Sequence, residues 1–307
     1  MQRYILARIF QGILTTLAVV SIVFLLTRLS GDPLGWLVSI NTTAEVRQKI
    51  ASNYGLDKPT IVQYGKYLVN IIQGEFGNSF RYKKPVMEVI AERVPATAEL
   101  LIVSLFISLI GIPIGVYSAV GKGNFSDIAG RGFAFVGMSA PSFLVGMILI
   151  LVFAVYADIL PVGGRYSAGS VILPAVTLAF TLMAGVARIT RSELLEVLGA
   201  DYLIFARAKG VSERMIIWKH AFKNASIPII TYIMFLLIMF ISGDVVVENV
   251  FAWPGLGRLT IQSVMSRDYP LVQAITLVTV FLFIISSLIA DVIYVYLNPK
   301  VRLQQKM

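Results

Sequence analysis

The sequence predicts an all-α, polytopic membrane protein, and three observations carry that reading. Of 307 residues, 57% are apolar and only 14% charged, where a soluble domain carries about 25% charge. Six apolar runs approach the roughly 20 residues a helix needs to cross a bilayer core. The basic residues gather beside those runs, so the net charge of +9 reads as membrane flanking and not as a nucleic-acid footprint. The chain has no cysteine and one histidine, which removes a disulfide framework, a cysteine metal site and a histidine metal pair.

In order, the spans are expected at 9–29, 98–120, 132–156, 171–187, 227–247 and 271–297. The basic start at Arg3 and Arg8 resembles a signal peptide, but the apolar run continues to Leu29 without a small-residue cleavage site, so it reads as an uncleaved first span. Arg3, Arg8, Lys122, Arg131, Lys300, Arg302 and Lys306, with seven basic residues in 188–226, lie on one side. Arg165, Arg258 and Arg267 are the short loops' basic residues on the other. Both termini and the 188–226 loop are therefore expected in the cytoplasm.

Segment 30–97 reads as an extracytoplasmic helical insertion. One helix is expected from Asn41 to Gly55. Another starts at Pro59 with Ile61, Tyr64, Leu68 and Ile71 on one stripe. A turn at Gly74-Glu-Phe-Gly77 precedes a third, opened by Pro85, with Val86, Val89 and Ile90 inward. Nothing splits the chain by composition, so 1–307 reads as a single transmembrane domain.

The 188–226 loop is the long polar interval of the second half. Gly199 is placed to end one helix in the left-handed conformation, and Asp201 to cap the next. Arg207 and Lys209 suit that helix's last turn, Gly210 ends it, and Ser212 caps the succeeding helix. The rod between would be roughly 10 Å long, with Tyr202, Phe205 and Ala206 on one face. An exposed rod with aromatics suits docking into a partner's groove.

Here the chain resembles a known family. Asp201-Tyr202, Ala206-Arg207-Ala208-Lys209-Gly210, His220-Ala221, Asn224-Ala225 and Pro228 look like the cytoplasmic coupling loop of the dipeptide/oligopeptide/nickel branch of ABC importer permeases. Ile204 and Phe205 replace the Glu and first Ala of the broader family's loop. Gly31-Asp32-Pro33, Tyr54-Gly55-Leu56-Asp57-Lys58-Pro59, Pro141-Ser142-Phe143, Trp253-Pro254-Gly255-Leu256-Gly257-Arg258 and Arg267-Asp268-Tyr269-Pro270 extend the likeness over nearly the whole chain. The resemblance implies a type I importer permease fold in a bacterial or archaeal inner membrane. It implies a second, paralogous permease subunit, two ATP-binding cassette subunits or domains, and an extracytoplasmic solute-binding protein. The cargo expected is di- or oligopeptides. Asp201, Tyr202, Phe205, Ala206, Arg207, Ala208, Lys209 and Gly210 would couple to the ATPase.

No catalytic residue, metal site or cofactor is expected on this chain. Gly115…Gly121-Lys122-Gly123 lacks the spacing and hydroxyl of a phosphate-binding loop, so ATP and magnesium belong to the partner ATPase. Gly137-Met-Ser139-Ala-Pro141 fails as a nucleophile elbow. Asp244 and Glu248, four apart after Ser242 and Gly243, would share a face of the fifth span. A carboxylate in the bilayer costs about 2.5–3.5 kcal/mol on insertion scales, so it should face a cavity or partner. They read either as pathway lining or as solvated groups at the outer interface. Asp291 reads as an anchor between helices, and Trp36 and Trp253 as interfacial anchors. Arg81, Lys83 and Lys84 form a basic patch. Membrane lipid is the remaining partner; nucleic acid is not expected. The rivals are a secondary transporter relaying ions through Asp244, Glu248 or Asp291, and an intramembrane enzyme.

Overall fold

The computed structural model describes residues 2–29, 45, 48, 52, 57–241 and 243–297. The expected helix between Asn41 and Gly55 falls almost wholly outside them, as do Trp36, Ser242 and the last basic residues. Among the described residues every regular element is helical. Five stretches among the described residues are long and apolar enough to cross a bilayer, or up to six if one bent pair counts as a single span. The chain divides into two compact units, Met1–Pro95 with Arg258–Ile284, and Ala96–Gly257 with Ile285–Met307.

The first unit begins with α1 (Gln2–Leu29). Next comes α2 (Thr60–Gln73), opened by Pro59 and closed by Gly74 in the left-handed conformation. Phe24 of α1 is buried against the rings of Tyr64 and Tyr67, with centroids 5.2 and 5.5 Å away. Ser21 and the Tyr64 hydroxyl share a hydrogen bond of 2.6 Å. Because the aromatic pair at i and i+3 carries the packing, Ile61 turns away and is 80% exposed. α3 (Val86–Ala91) buries Val86, Val89 and Ile90 as expected. Arg267-Asp268-Tyr269 acquires a physical role here. The buried Asp268 carboxylate accepts from the Ser79 hydroxyl and the Arg81 backbone N–H, tying the 79–84 turn down. The expected basic patch is partly neutralised. Lys84 lies 3.0 Å from both Glu88 and Glu92, and those carboxylates, Glu92 foremost, raise its pKa.

The second unit is built around α8 (Ile172–Leu198). Sixty-seven per cent of its apolar window is buried, against at most 39% in the other spans. Before it come α4 (Val94–Ser108) and α5 (Gly111–Val120), so the expected 98–120 span is two helices in sequence. α6 (Phe125–Ser139) and α7 (Ser142–Leu149), which continues as a π-helix over Ile150–Tyr156, meet at 105°. Pro141 causes the break: it lacks an N–H and disfavours helical geometry at Ala140, which is extended. Pro113 and Pro174 instead occupy first turns, where the missing N–H is harmless. Helices approach α8 closely where they have no side chain. A Cβ on Gly111, Gly115 or Gly137 would overlap Met183, Ala187 or Ala184, and one on Gly185 would overlap the Tyr232 hydroxyl.

Past α8 come α9 (Asp201–Ala208), a helical turn with a π-segment at Ile216–Ala221, and α10 (Phe222–Phe240). α11 (Val245–Val250) and α12 (Leu256–Met265) come next, then α13 (Tyr269–Leu297).

Candidate functional site

The α9 rod forms where expected, with its caps redistributed. Gly199 closes α8 with φ −84°, a right-handed value any residue adopts. Ala200 is the N-cap, and Asp201 is the first helical residue, making no side-chain cap; its carboxylate still suits the positive end of the dipole. Gly210 behaves as predicted. At φ +77° it lets its own N–H reach the Arg207 carbonyl at 2.9 Å and the Val211 N–H reach Ala206 at 3.2 Å. That doubly closed terminus needs a left-handed residue. Ser212 holds the next N-cap position without a side-chain bond.

What orients the rod is Leu203, which no sequence motif singles out. It is 0% exposed and packs with half-buried Ala206 into a cluster containing Val116, Leu194, Ile216, Ala225 and Ile229. The face expected to carry Tyr202, Phe205 and Ala206 together is therefore split. Ala206 turns inward, while Tyr202, Ile204 and Phe205 point out, Phe205 at 62% exposure. The outward groups are braced. The Asn224 side-chain amide donates to the Tyr202 hydroxyl at 2.7 Å, and Lys209 lies over the Phe205 ring at 4.5 Å. Arg207 pairs with Glu213 at 2.7 Å, which raises the guanidinium pKa further. Ala208 is exposed beside them, and His220 is half-buried in the π-segment.

A second ionic knot holds the base of α8. The buried Asp127 carboxylate accepts from Arg191 at 2.6 Å, from Ser118 at 3.1 Å and from the Gly123 backbone N–H at 3.0 Å. Arg131 lies 3.5 Å away. Nothing in the local sequence pairs residues 64 positions apart, so this knot was not foreseen.

The other predicted site changes shape. Asp244 and Glu248 do not share a face of one long span: α10 ends at Phe240, and Gly243 turns the chain at φ +89°. Asp244 caps α11, accepting from the Val247 N–H at 2.7 Å. Glu248 is 0% exposed. It accepts from the Thr97 hydroxyl at 2.9 Å, and Thr97 in turn accepts from the Leu256 N–H at 2.8 Å. Glu248 is therefore not the solvated group of the alternative reading, while Asp244 is half-buried. The Trp-Pro-Gly-Leu-Gly run suits this arrangement. A Cβ on Gly255 would collide with the Glu248 carboxylate, and one on Gly257 with the Val245 backbone. Trp253 is fully buried and donates its indole N–H to the Ala96 carbonyl at 2.8 Å, so it is a wedge and not an interfacial anchor. Asp291, half-buried, borders a 280 Å³ hollow with Thr231 and Met234 of α10.

The helical core so arranged is that of an importer permease. It is similar to the solved inward-facing MetNI methionine ABC transporter (TM-score 0.58, 20% identity, covering 70% of this chain and 98% of that one). It is also similar to an amino acid ABC transporter solved with histidines (TM-score 0.55, 17% identity, 68% and 94%). By sequence the chain is 40% identical to the glutathione transport system permease protein GsiC of Salmonella paratyphi A, covering 98% of this chain and 99% of that one. It is 38% identical to the oligopeptide transport system permease protein AppB of Bacillus subtilis, at the same coverages. The family of binding-protein-dependent transport system inner membrane components matches residues 111–303, and the family's N-terminal region matches 1–101. The chain belongs to that family: it is a membrane-embedded permease subunit of an ABC importer, a transport component and not an enzyme.

Proposed function

We propose that this permease forms half of a translocation pathway for small peptides, worked from the cytoplasm through α9. The observation that carries the reading is the split of the rod. Leu203 fixes it to the helical core while Tyr202, Ile204 and Phe205 stand exposed, and its two ends run into α8 and the π-segment before α10. A force applied to the exposed face reaches both helices through Leu203. Asp201, Arg207, Ala208 and Lys209 frame that face, and Gly210 sets where the rod ends.

The partners that fit are a second permease subunit, two ATPase subunits that bind ATP and magnesium, and a solute-binding protein on the opposite side. The excess of Lys and Arg in 188–226 supports a cytoplasmic position for α9 and both termini in a bacterial or archaeal cell. Segment 30–97, an insertion within one membrane domain, then faces the binding protein. The 243–257 hairpin, with Gly243 and Asp244 at its root and Glu248 within it, sits at the outward end of the pathway. Glu248 there holds the hairpin shut and does not itself touch cargo. Peptide is the cargo favoured because the relatives are named for oligopeptides and for glutathione, itself a small peptide.

Phe205→Asp tests the coupling role in the assembled transporter. Charge on an exposed docking face is expected to release the ATPase or abolish ATP-driven peptide uptake in proteoliposomes, with the permease still folded. Normal assembly and uptake in that variant would rule the role out.

A further inference from the structure

A crevice of about 460 Å³ lies between α5, α6 and α8. Its walls are shaped by small residues: Gly115 on α5, Gly130 and Ala134 on α6, and Ala187 on α8 line it without filling it. Its two ends differ in chemistry. Arg131, Arg188 and Arg191 border it toward the Asp127 knot. Phe135 and Met138, both exposed, border it further along α6. Residues 131, 135 and 138 recur at helical spacing, so the slot runs along α6 for about 10 Å.

The basic end is under-compensated. Three guanidinium groups border it, and the one carboxylate there pairs with two of them. Asp127 is committed to Arg191 at 2.6 Å and reaches Arg131 only at 3.5 Å. Arg188 is exposed and makes no ion pair among the described residues. Charge beside apolar membrane helices calls for an anionic partner. A soluble anion would satisfy the arginines and leave Phe135 and Met138 bare. An amphiphile with an anionic head and an apolar tail satisfies both ends at once. Basic hollows between membrane helices at the cytoplasmic boundary are sites of this kind.

We propose that this crevice is a binding site for an anionic phospholipid of the inner leaflet, its phosphate held by Arg188 and Arg131 and one acyl chain laid along Phe135 and Met138. The lipid would then brace the start of the segment that leads from α8 into α9, next to the Asp127–Arg191 bond.

The test uses the whole transporter in nanodiscs of phosphatidylcholine doped with phosphatidylglycerol, with native mass spectrometry of retained lipid as the readout. Phosphatidylglycerol is expected to be retained over phosphatidylcholine. Arg188→Gln is expected to weaken that retention about fivefold, the worth of one basic contact to an anionic membrane lipid. Lys223→Gln, an exposed basic residue outside the crevice, is expected to leave it unchanged. Equal retention of both lipids, no retained lipid, or equal loss in the two variants would overturn the proposal. So would an occupant from the other permease subunit. The chain has no native cysteine, so Met138→Cys offers a single thiol, and its efficient crosslinking to that subunit would show protein in the slot. Because bound lipid is measured directly, the outcome is independent of whether α9 couples to an ATPase.

Discussion

The α9 rod and the 243–257 hairpin are opposite solutions to making a short irregular segment hold its shape. The rod is closed by its own backbone and turns large apolar groups to the outside, keeping one buried anchor, Leu203. The hairpin turns its largest groups inward: Trp253, Phe251 and Glu248 are all essentially unexposed. Its polar atoms are matched by partners about 150 residues earlier, at Ala96 and Thr97. A segment that keeps its surface bare and its fold local is available to a partner, as the proposed coupling role of α9 requires. A segment that must stay seated in its own core commits its side chains to distant bonds.

The comparison breaks most visibly at Trp253. Trp253→Ala empties a buried site of its largest side chain and removes the indole bond to the Ala96 carbonyl, at a cost of about 3–5 kcal/mol, read as a fall in Tm of the purified transporter. Trp253→Phe keeps most of the packing and loses only the indole bond, so its fall should be much smaller. Phe205→Ala, also the loss of an aromatic ring but on an exposed rod, should leave Tm unchanged. Equal effects at Trp253 and Phe205 would erase the distinction.

A smaller effect is expected at Thr97. Its hydroxyl both donates to Glu248 and accepts from the Leu256 N–H. Thr97→Val keeps the shape and removes both of those bonds, each worth about 0.5–1.5 kcal/mol. Thr97→Ser keeps the hydroxyl and should restore most of the lost Tm. Failure of serine to rescue would mean that packing, not the relay, seats the hairpin.

The same contrast explains what was legible in the sequence. The rod could be read because its signals are local: a polar interval, a glycine at the stop position and charged residues in the last turn. Even there the orienting residue was missed, because Leu203 looks like any apolar residue until its cluster is assembled. The spans were legible as apolar runs, and the bend at Pro141 is marked in the sequence by the proline itself. The break at Gly243 lies inside a stretch whose apolar composition continues around it. Asp244 and Glu248 were therefore placed on one helix face, when a left-handed glycine separates α10 from the short helix that carries Glu248. Asp127 with Arg191, and Thr97 with Glu248, join elements far apart in the chain, and spacing arguments do not reach that distance.

The smallest effect sharpens the comparison from the rod's side. At Gly210 a Cβ would meet nothing within 4 Å, so space is no obstacle to alanine. The obstacle is φ +77°, where an L-residue with a Cβ costs about 1 kcal/mol more than glycine. Gly210→Ala should therefore lower Tm only slightly, while straining the two bonds that end α9 at Ala206 and Arg207. If the rod's length sets where the ATPase grips, peptide uptake per ATP hydrolysed in proteoliposomes should fall by more than the small loss of stability explains. Gly210→Asn, which tolerates the left-handed conformation better, should recover part of that ratio. A variant pair in which Tm and uptake move together would make Gly210 a residue of folding only, and the rod's stop would carry no information for coupling.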